Sequence, residues 1–79
     1  MKKIFLLGAT GSVGQNTLKV IAENKDLFSL IGIAADSNLA EFKKICDLFN
    51  PKYLFLNDPH KRSEINPNRD QSVLNSYAE

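Results

Sequence analysis

The hydrophobic positions of the chain follow two rhythms that alternate. Ile4-Phe5-Leu6-Leu7 is a short unbroken apolar run of the kind a buried strand makes. From Val13 to about Glu23, Val13, Thr17, Leu18, Ile21 and Ala22 recur at three- and four-residue spacing, with Gln15, Asn16, Lys19 and Glu23 between them. This spacing predicts an amphipathic helix. Phe28 to Ala35 is again nearly continuous and predicts a strand covered on both faces. Leu39, Phe42, Ile45, Cys46 and Phe49 then form the stripe of a second helix, while Glu41, Lys43, Lys44 and Asp47 face outward. Asn38, with Glu41 three residues on, is a capping pair at its start. Asn50-Pro51 stops it, because proline cannot continue the hydrogen-bond ladder. Tyr53-Leu54-Phe55-Leu56 predicts a third strand, closed by Asn57-Asp58-Pro59.

Strand, helix, strand, helix, strand over residues 1–58 is an α/β chain. Right-handed crossovers assemble such a unit into a Rossmann-like βαβαβ half-domain with a parallel sheet in the order 3-2-1. In that order strand one has an unfilled side, so its hydrogen-bonding edge is expected to lie open and to favour weak stability or self-association. Residues 59–79 read as a polar tail, loop or frayed helix, truncated, with Ile65, Val73, Leu74 and Tyr77 as its only sizeable apolar residues.

The chemistry gathers at the first strand-to-helix junction, Gly8-Ala9-Thr10-Gly11-Ser12-Val13-Gly14. Gly8 permits a sharp turn off the strand, Gly11 leaves no Cβ between the backbone and a pyrophosphate, and Gly14 lets the helix approach the sheet. The phosphates would meet free N–H groups at the positive end of a helix. The spacing is G-x-x-G-x-x-G rather than the commoner G-x-G-x-x-G, so the junction's position carries as much of the argument as the glycines do. A tight turn with no ligand is the alternative reading.

Composition removes several classes of function. Ten basic and nine acidic side chains give a formal charge of +1, with the basic residues scattered, so no nucleic-acid partner is expected. The one cysteine, Cys46, excludes an intrachain disulfide and points to a reducing, cytoplasmic setting. With one histidine, His60, a His/Cys metal cluster is excluded, and no metal ligand is assigned. The apolar run after Met1-Lys2-Lys3 breaks at Gly8, short of a signal-peptide core, and no stretch approaches the roughly 20 apolar residues of a membrane span. Asp58 and His60 are ordinary loop content, and Cys46 on an inward stripe reads as a small buried hydrophobe. No catalytic residue is assigned.

Four stretches together resemble the N-terminal segment of the 1-deoxy-D-xylulose 5-phosphate reductoisomerase family. They are the Gly8–Gly14 turn, the helix Asn16-Thr17-Leu18-Lys19-Val20-Ile21, the turn Ala34-Ala35-Asp36-Ser37-Asn38, and Phe49-Asn50-Pro51-Lys52-Tyr53 entering strand three. The resemblance covers residues 1 to about 58. It implies an NADPH-dependent oxidoreductase and isomerase of the non-mevalonate route to isoprenoids, cytoplasmic, homodimeric in full length, with Mg or Mn bound only in the full-length enzyme. It further implies that this chain is a fragment holding the first half of a cofactor domain, inactive alone. By the resemblance Thr10, Gly11, Ser12 and Val13 would be the pyrophosphate-side contacts and Asn38 a contact near the adenosine ribose; the residue reading adds Gly8, Asp36 and Ser37 to the expected cofactor-binding set. Asn38 is equally well explained as a helix cap. Where the family usually has glycine and a basic residue, Asp36 and Ser37 stand here, 22 residues after Gly14. A carboxylate at this place accepts from the ribose 2′-hydroxyl of NAD and repels a 2′-phosphate, which makes NADH an alternative to NADPH. Lys43 or Lys44 could compensate, or could form a solvated face. The competing assignment is a fragment of a short-chain dehydrogenase or sugar-nucleotide epimerase; a stand-alone nucleotide-binding module fits the polar tail less well.

Overall fold

The structure is a computed structural model that describes residues 2–74. β1 (Lys2–Leu7), α1 (Ser12–Glu23), β2 (Phe28–Ala35), α2 (Leu39–Phe49) and β3 (Tyr53–Leu56) follow one another as the hydrophobic pattern predicts. Two further elements stand in the stretch expected to be loop or frayed helix: α3 (Pro59–Arg62) and β4 (Ser72–Val73). Residues 75–79, the end of that expected tail with Tyr77, lie outside the described residues.

All four strands are parallel and pair in the order β1-β2-β3-β4, so the first three are neighbours in chain order. Cα partners Leu6↔Ile33↔Leu54 and Ala35↔Leu56 define one face. On that face Ile33, Ala35, Leu54 and Leu56 form one core with Leu18 and Ile21 of α1 and Phe42 and Ile45 of α2. Both long helices therefore cover the same side of the sheet. Each of these leucine, isoleucine and phenylalanine side chains, fully buried, contributes about 1.5–3 kcal/mol. The opposite face carries Phe5↔Gly32↔Tyr53 and Leu7↔Ala34↔Phe55. It is only partly covered. The Phe5 ring lies over the bare backbone of Gly32, and the Arg62 guanidinium sits 4.9 Å from the Phe55 ring centroid. Leu7 remains 62% exposed. β1 stands at the end of the sheet, so among the described residues its outer edge is unpaired.

The ends of the helices follow local chemistry. Asn38 Oδ1 accepts from the Glu41 N–H at 3.3 Å, and Asn50 ends α2 in the left-handed region (φ 49°), its N–H donating to the Cys46 carbonyl at 2.9 Å. α3 exists because Asp58 Oδ1 accepts from the His60 and Lys61 N–H groups and Pro59 takes the first helical position. β4 exists because the free edge of β3 supplies its partners: Ser72 N–H donates to Lys52 O and Leu74 N–H to Leu54 O, each at 2.8 Å. Between them Ile65 is buried in the core. The apolar stripe of α1 is Gly14, Leu18 and Ile21, not the expected set that included Val13 and Ala22; Val13 is 79% exposed. The phase of that helix is set by Gly14, where an added Cβ would run into the Gly8 carbonyl and the Ala9 backbone.

Substituting Gly14→Ala is therefore expected to cost about 3 kcal/mol or more, the upper end of overpacking penalties, because backbone rather than a flexible side chain must move. Denaturant unfolding measures this, and a midpoint equal to the parent's would show that α1 does not approach the turn this closely.

Candidate functional site

The first residue past each of the three long parallel strands, Gly8 after β1, Asp36 after β2 and Asn57 after β3, lines one crevice together with Ala35. Its volume is about 360 Å³. Ligands of open parallel α/β sheets sit at this end, outside the carboxyl ends of the strands. Register continues past the strands and holds the crevice together. Ala9 N–H donates to Ala34 O, Asn57 N–H to Ala35 O, and Asp58 N–H to Asp36 O, all at 2.9 Å.

The glycine turn closes one side. Gly8 has φ +68°, a conformation that an L side chain adopts only with strain, and the Gly11 N–H donates back to the Gly8 carbonyl at 3.1 Å. Gln15 Nε2 braces the turn by donating to the Thr10 carbonyl at 3.0 Å. The first helical bond of α1 runs from Gln15 N–H to Gly11 O, so the N–H groups of Ser12, Val13 and Gly14 precede the ladder. Gly11 offers no side-chain cap, and the first turn carries no acidic residue. In α2 and α3, by contrast, Asn38 and Asp58 occupy such donors. The start of α1 has its donors and the positive end of its dipole available to an anion.

Each glycine of the turn thus has a different explanation. Gly8 is required by its backbone angle and Gly14 by its contact. Neither reason applies to Gly11: it is extended (φ −76°, ψ 171°), exposed, and a Cβ there would make only an ordinary 3.5 Å contact with the Gly8 carbonyl. Neither a positive φ nor a close contact demands glycine at this point, while a ligand phosphate resting on the turn would. The residues present fit a dinucleotide's pyrophosphate.

The expected site residues divide into three groups. Gly8, Thr10, Gly11, Ser12 and Val13 form the turn and the start of α1, although the Val13 side chain points into solvent. Asp36 stands in the crevice itself. Ser37 is half-buried with its carbonyl accepting from the Leu39 N–H at 2.9 Å, and the Asn38 side chain is engaged as a cap, so both serve α2. Lys44 pairs with Glu41 at 3.3 Å, and Lys43 lines a different cavity. Asn57 is a crevice residue that the sequence did not single out: its Nδ2 donates to Asp36 Oδ1 at 3.0 Å. The available signal was its position, first after strand three, as Asp36 is first after strand two.

Elsewhere, Lys43, Cys46, Asp47, Asn50, Asn66 and Asn68 border a cavity of about 370 Å³ between α2 and the loop before β4. Burial pushes the Cys46 thiol up from 9.0 to about 11, and the neighbouring Asp47 carboxylate adds to the effect. It is not an activated nucleophile. No helix among the described residues is long and apolar enough to cross a membrane.

A family model described as 1-deoxy-D-xylulose 5-phosphate reductoisomerase matches residues 4–78. The proteins of that name from Buchnera aphidicola subsp. Acyrthosiphon pisum and from Acinetobacter baylyi are similar to this chain. The first is 36% identical over 76 residues, covering 96% of this chain and 19% of the relative. The second is 42% identical over 59 residues, covering 75% and 15%. The Proteus mirabilis protein of the same name is 38% identical over 65 residues, covering 82% and 16%. The chain spans about a fifth or less of the length of these relatives.

Two outcomes follow from the site. Gly11→Ala is expected to cost under about 1 kcal/mol of stability, as for a solvent-facing cap position, while weakening nucleotide binding at least tenfold; melting and titration of the same variant check both. For Cys46, the folded-state thiol ionises at higher pH than the unfolded one. Its contribution is fully present below the unfolded value near 9 and is lost as pH rises towards 11. Cys46→Ser should flatten the fall in stability across that window, and thiol-reagent labelling of the native chain should stay slow below pH 9.

Proposed function

We propose, from the premise that the chain belongs to the 1-deoxy-D-xylulose 5-phosphate reductoisomerase family, that its glycine turn and strand-end crevice bind a nicotinamide dinucleotide. On this reading residues 1–58 are a Rossmann-like half-domain, its strands ordered 3-2-1, and supply only cofactor binding. The observation that carries it is Gly11, a glycine that neither its φ nor a close contact requires, standing before an uncapped helix and hydrogen-bonded to Gly8 of the crevice wall. The N–H groups of Ser12, Val13 and Gly14 would hold the pyrophosphate, and the Thr10 and Ser12 hydroxyls add donors. Asp36 and Asn57 would face the adenosine ribose.

The complete protein, on the same reading, is an oxidoreductase and isomerase of isoprenoid biosynthesis. It carries out a metal-assisted rearrangement of 1-deoxy-D-xylulose 5-phosphate and a reduction to 2-C-methyl-D-erythritol 4-phosphate, as a cytoplasmic homodimer. The bound dinucleotide supplies the hydride for the reduction. None of the residues described here is assigned to the metal or to the rearrangement. What this chain does is hold the cofactor: the rigid turn fixes the phosphates, and the strand ends fix the sugar.

The test is a titration of the chain with the reduced dinucleotide, followed through backbone amide resonances. The amides of residues 8–14 and of Asp36 and Asn57 are expected to shift and saturate together, while those of the Cys46 cavity stay unchanged. Saturable shifts confined to the Cys46 cavity, or none at all, would refute the reading.

A further inference from the structure

NADH and NADPH differ only at the adenosine ribose, which carries a free 2′-hydroxyl in one and a 2′-phosphate in the other. In a dinucleotide crevice of this kind that position falls at the end of the second strand. Here it meets Asp36, the one charged side chain among the lining residues Gly8, Ala35, Asp36 and Asn57.

The carboxylate is held rather than loose. Asn57 Nδ2 donates to one of its oxygens at 3.0 Å, and the backbone bonds Asn57 N–H to Ala35 O and Asp58 N–H to Asp36 O fix the two residues in register. The amide occupies part of Oδ1 and leaves Oδ2 its full capacity as an acceptor. A hydroxyl can donate to that oxygen. A phosphate cannot, since an ionised phosphate and a carboxylate only accept, and their like charges repel.

Three cations of α2 and α3 bond or lie away from the crevice. Lys44 pairs with Glu41, and Lys43 borders the Cys46 cavity. The Arg62 guanidinium donates through Nε to Leu56 O at 2.7 Å and through Nη2 to Asn57 O at 3.1 Å, and it lies on the Phe55 ring. Among the described residues no cation lines the crevice to neutralise a 2′-phosphate.

We infer that Asp36, oriented by Asn57, reads the free 2′-hydroxyl of the adenosine ribose, so that this chain selects NADH over NADPH; the inference rests on the dinucleotide reading above. Asp36 is the specificity-determining residue and Asn57 a positioning residue that acts through it. The preference departs from the NADPH that the family resemblance implies, because the glycine and basic residue usual in the family are replaced here by Asp36 and Ser37.

The experiment is a fluorescence titration of the chain with NADH and with NADPH at equal ionic strength, for the parent, Asp36→Ala, Asn57→Ala and the double variant. The parent should bind NADH about tenfold to a hundredfold more tightly, the worth of one hydrogen bond to a charged group. Asp36→Ala should bring the ratio near one. Asn57→Ala should narrow it severalfold in the parent and leave it within about twofold in the Asp36→Ala background, because a positioning residue has nothing left to orient. Both side chains are exposed, so thermal melts of the variants should match the parent's. Equal or tighter NADPH binding by the parent overturns the inference and leaves the dinucleotide site standing. Loss of both ligands to the same degree in Asn57→Ala, undiminished when Asp36 is absent, overturns the positioning role. Binding of neither dinucleotide to the parent overturns the dinucleotide reading itself, and the inference with it.

Discussion

The close approach of Gly14 to the Gly8 carbonyl constrains more of this structure than any other contact. Gly8 turns the chain back off β1 with a positive φ, and α1 can begin only where no Cβ intervenes between the helix and that turn. The contact fixes the rotation of α1 about its own axis. Leu18 and Ile21, one and two turns further along the face of Gly14, are thereby aimed into the core, and Val13 is turned out. The same contact holds the first N–H groups of α1 beside the crevice. Core packing and the placement of the uncapped helix start are two consequences of one steric fact.

Parallel pairing supplies the second half of the site. Because β1, β2 and β3 run in the same direction and in register, their C-terminal ends come level, and the residue after each strand is delivered to a common crevice. An antiparallel arrangement would have scattered Gly8, Asp36 and Asn57 between two edges. The two long helices spend their apolar stripes on one face of this sheet. The other face is left to the Phe5 ring over Gly32 and the Arg62 guanidinium over Phe55, with Leu7 exposed beside the open edge of β1.

Helix capping is used here in two opposite ways. Asn38 and Asp58 satisfy the donors at the starts of α2 and α3, which stabilises those ends by about 1 kcal/mol each and closes them to ligands. α1 forgoes that stabilisation, with Gly11 in the capping position and no acid in its first turn. A helix start left open in this way costs stability, and it leaves the N–H groups for an anion to complete.

What the sequence alone determined was everything governed by neighbours a few residues apart. The bounds of β2, α2 and β3 were legible from apolar runs, from the Asn38–Glu41 pair and from Asn50-Pro51, because caps, turns and stripes are energies of adjacent residues. The glycine turn and Asp36 were legible for the same reason, as was the family, whose signals lie in short contiguous stretches. Tertiary structure decided the rest. The phase of α1 depends on a carbonyl in the preceding turn, so spacing alone placed Val13 on the wrong side. β4 is a strand because the edge of β3 completes its hydrogen bonds, although Ser72-Val73 has little strand character of its own. Asn57 joins the site only because parallel pairing brings it to Asp36 across 21 positions of chain. Hydrogen bonds between distant residues leave no periodic trace in a sequence; they exist once the sheet has set the register.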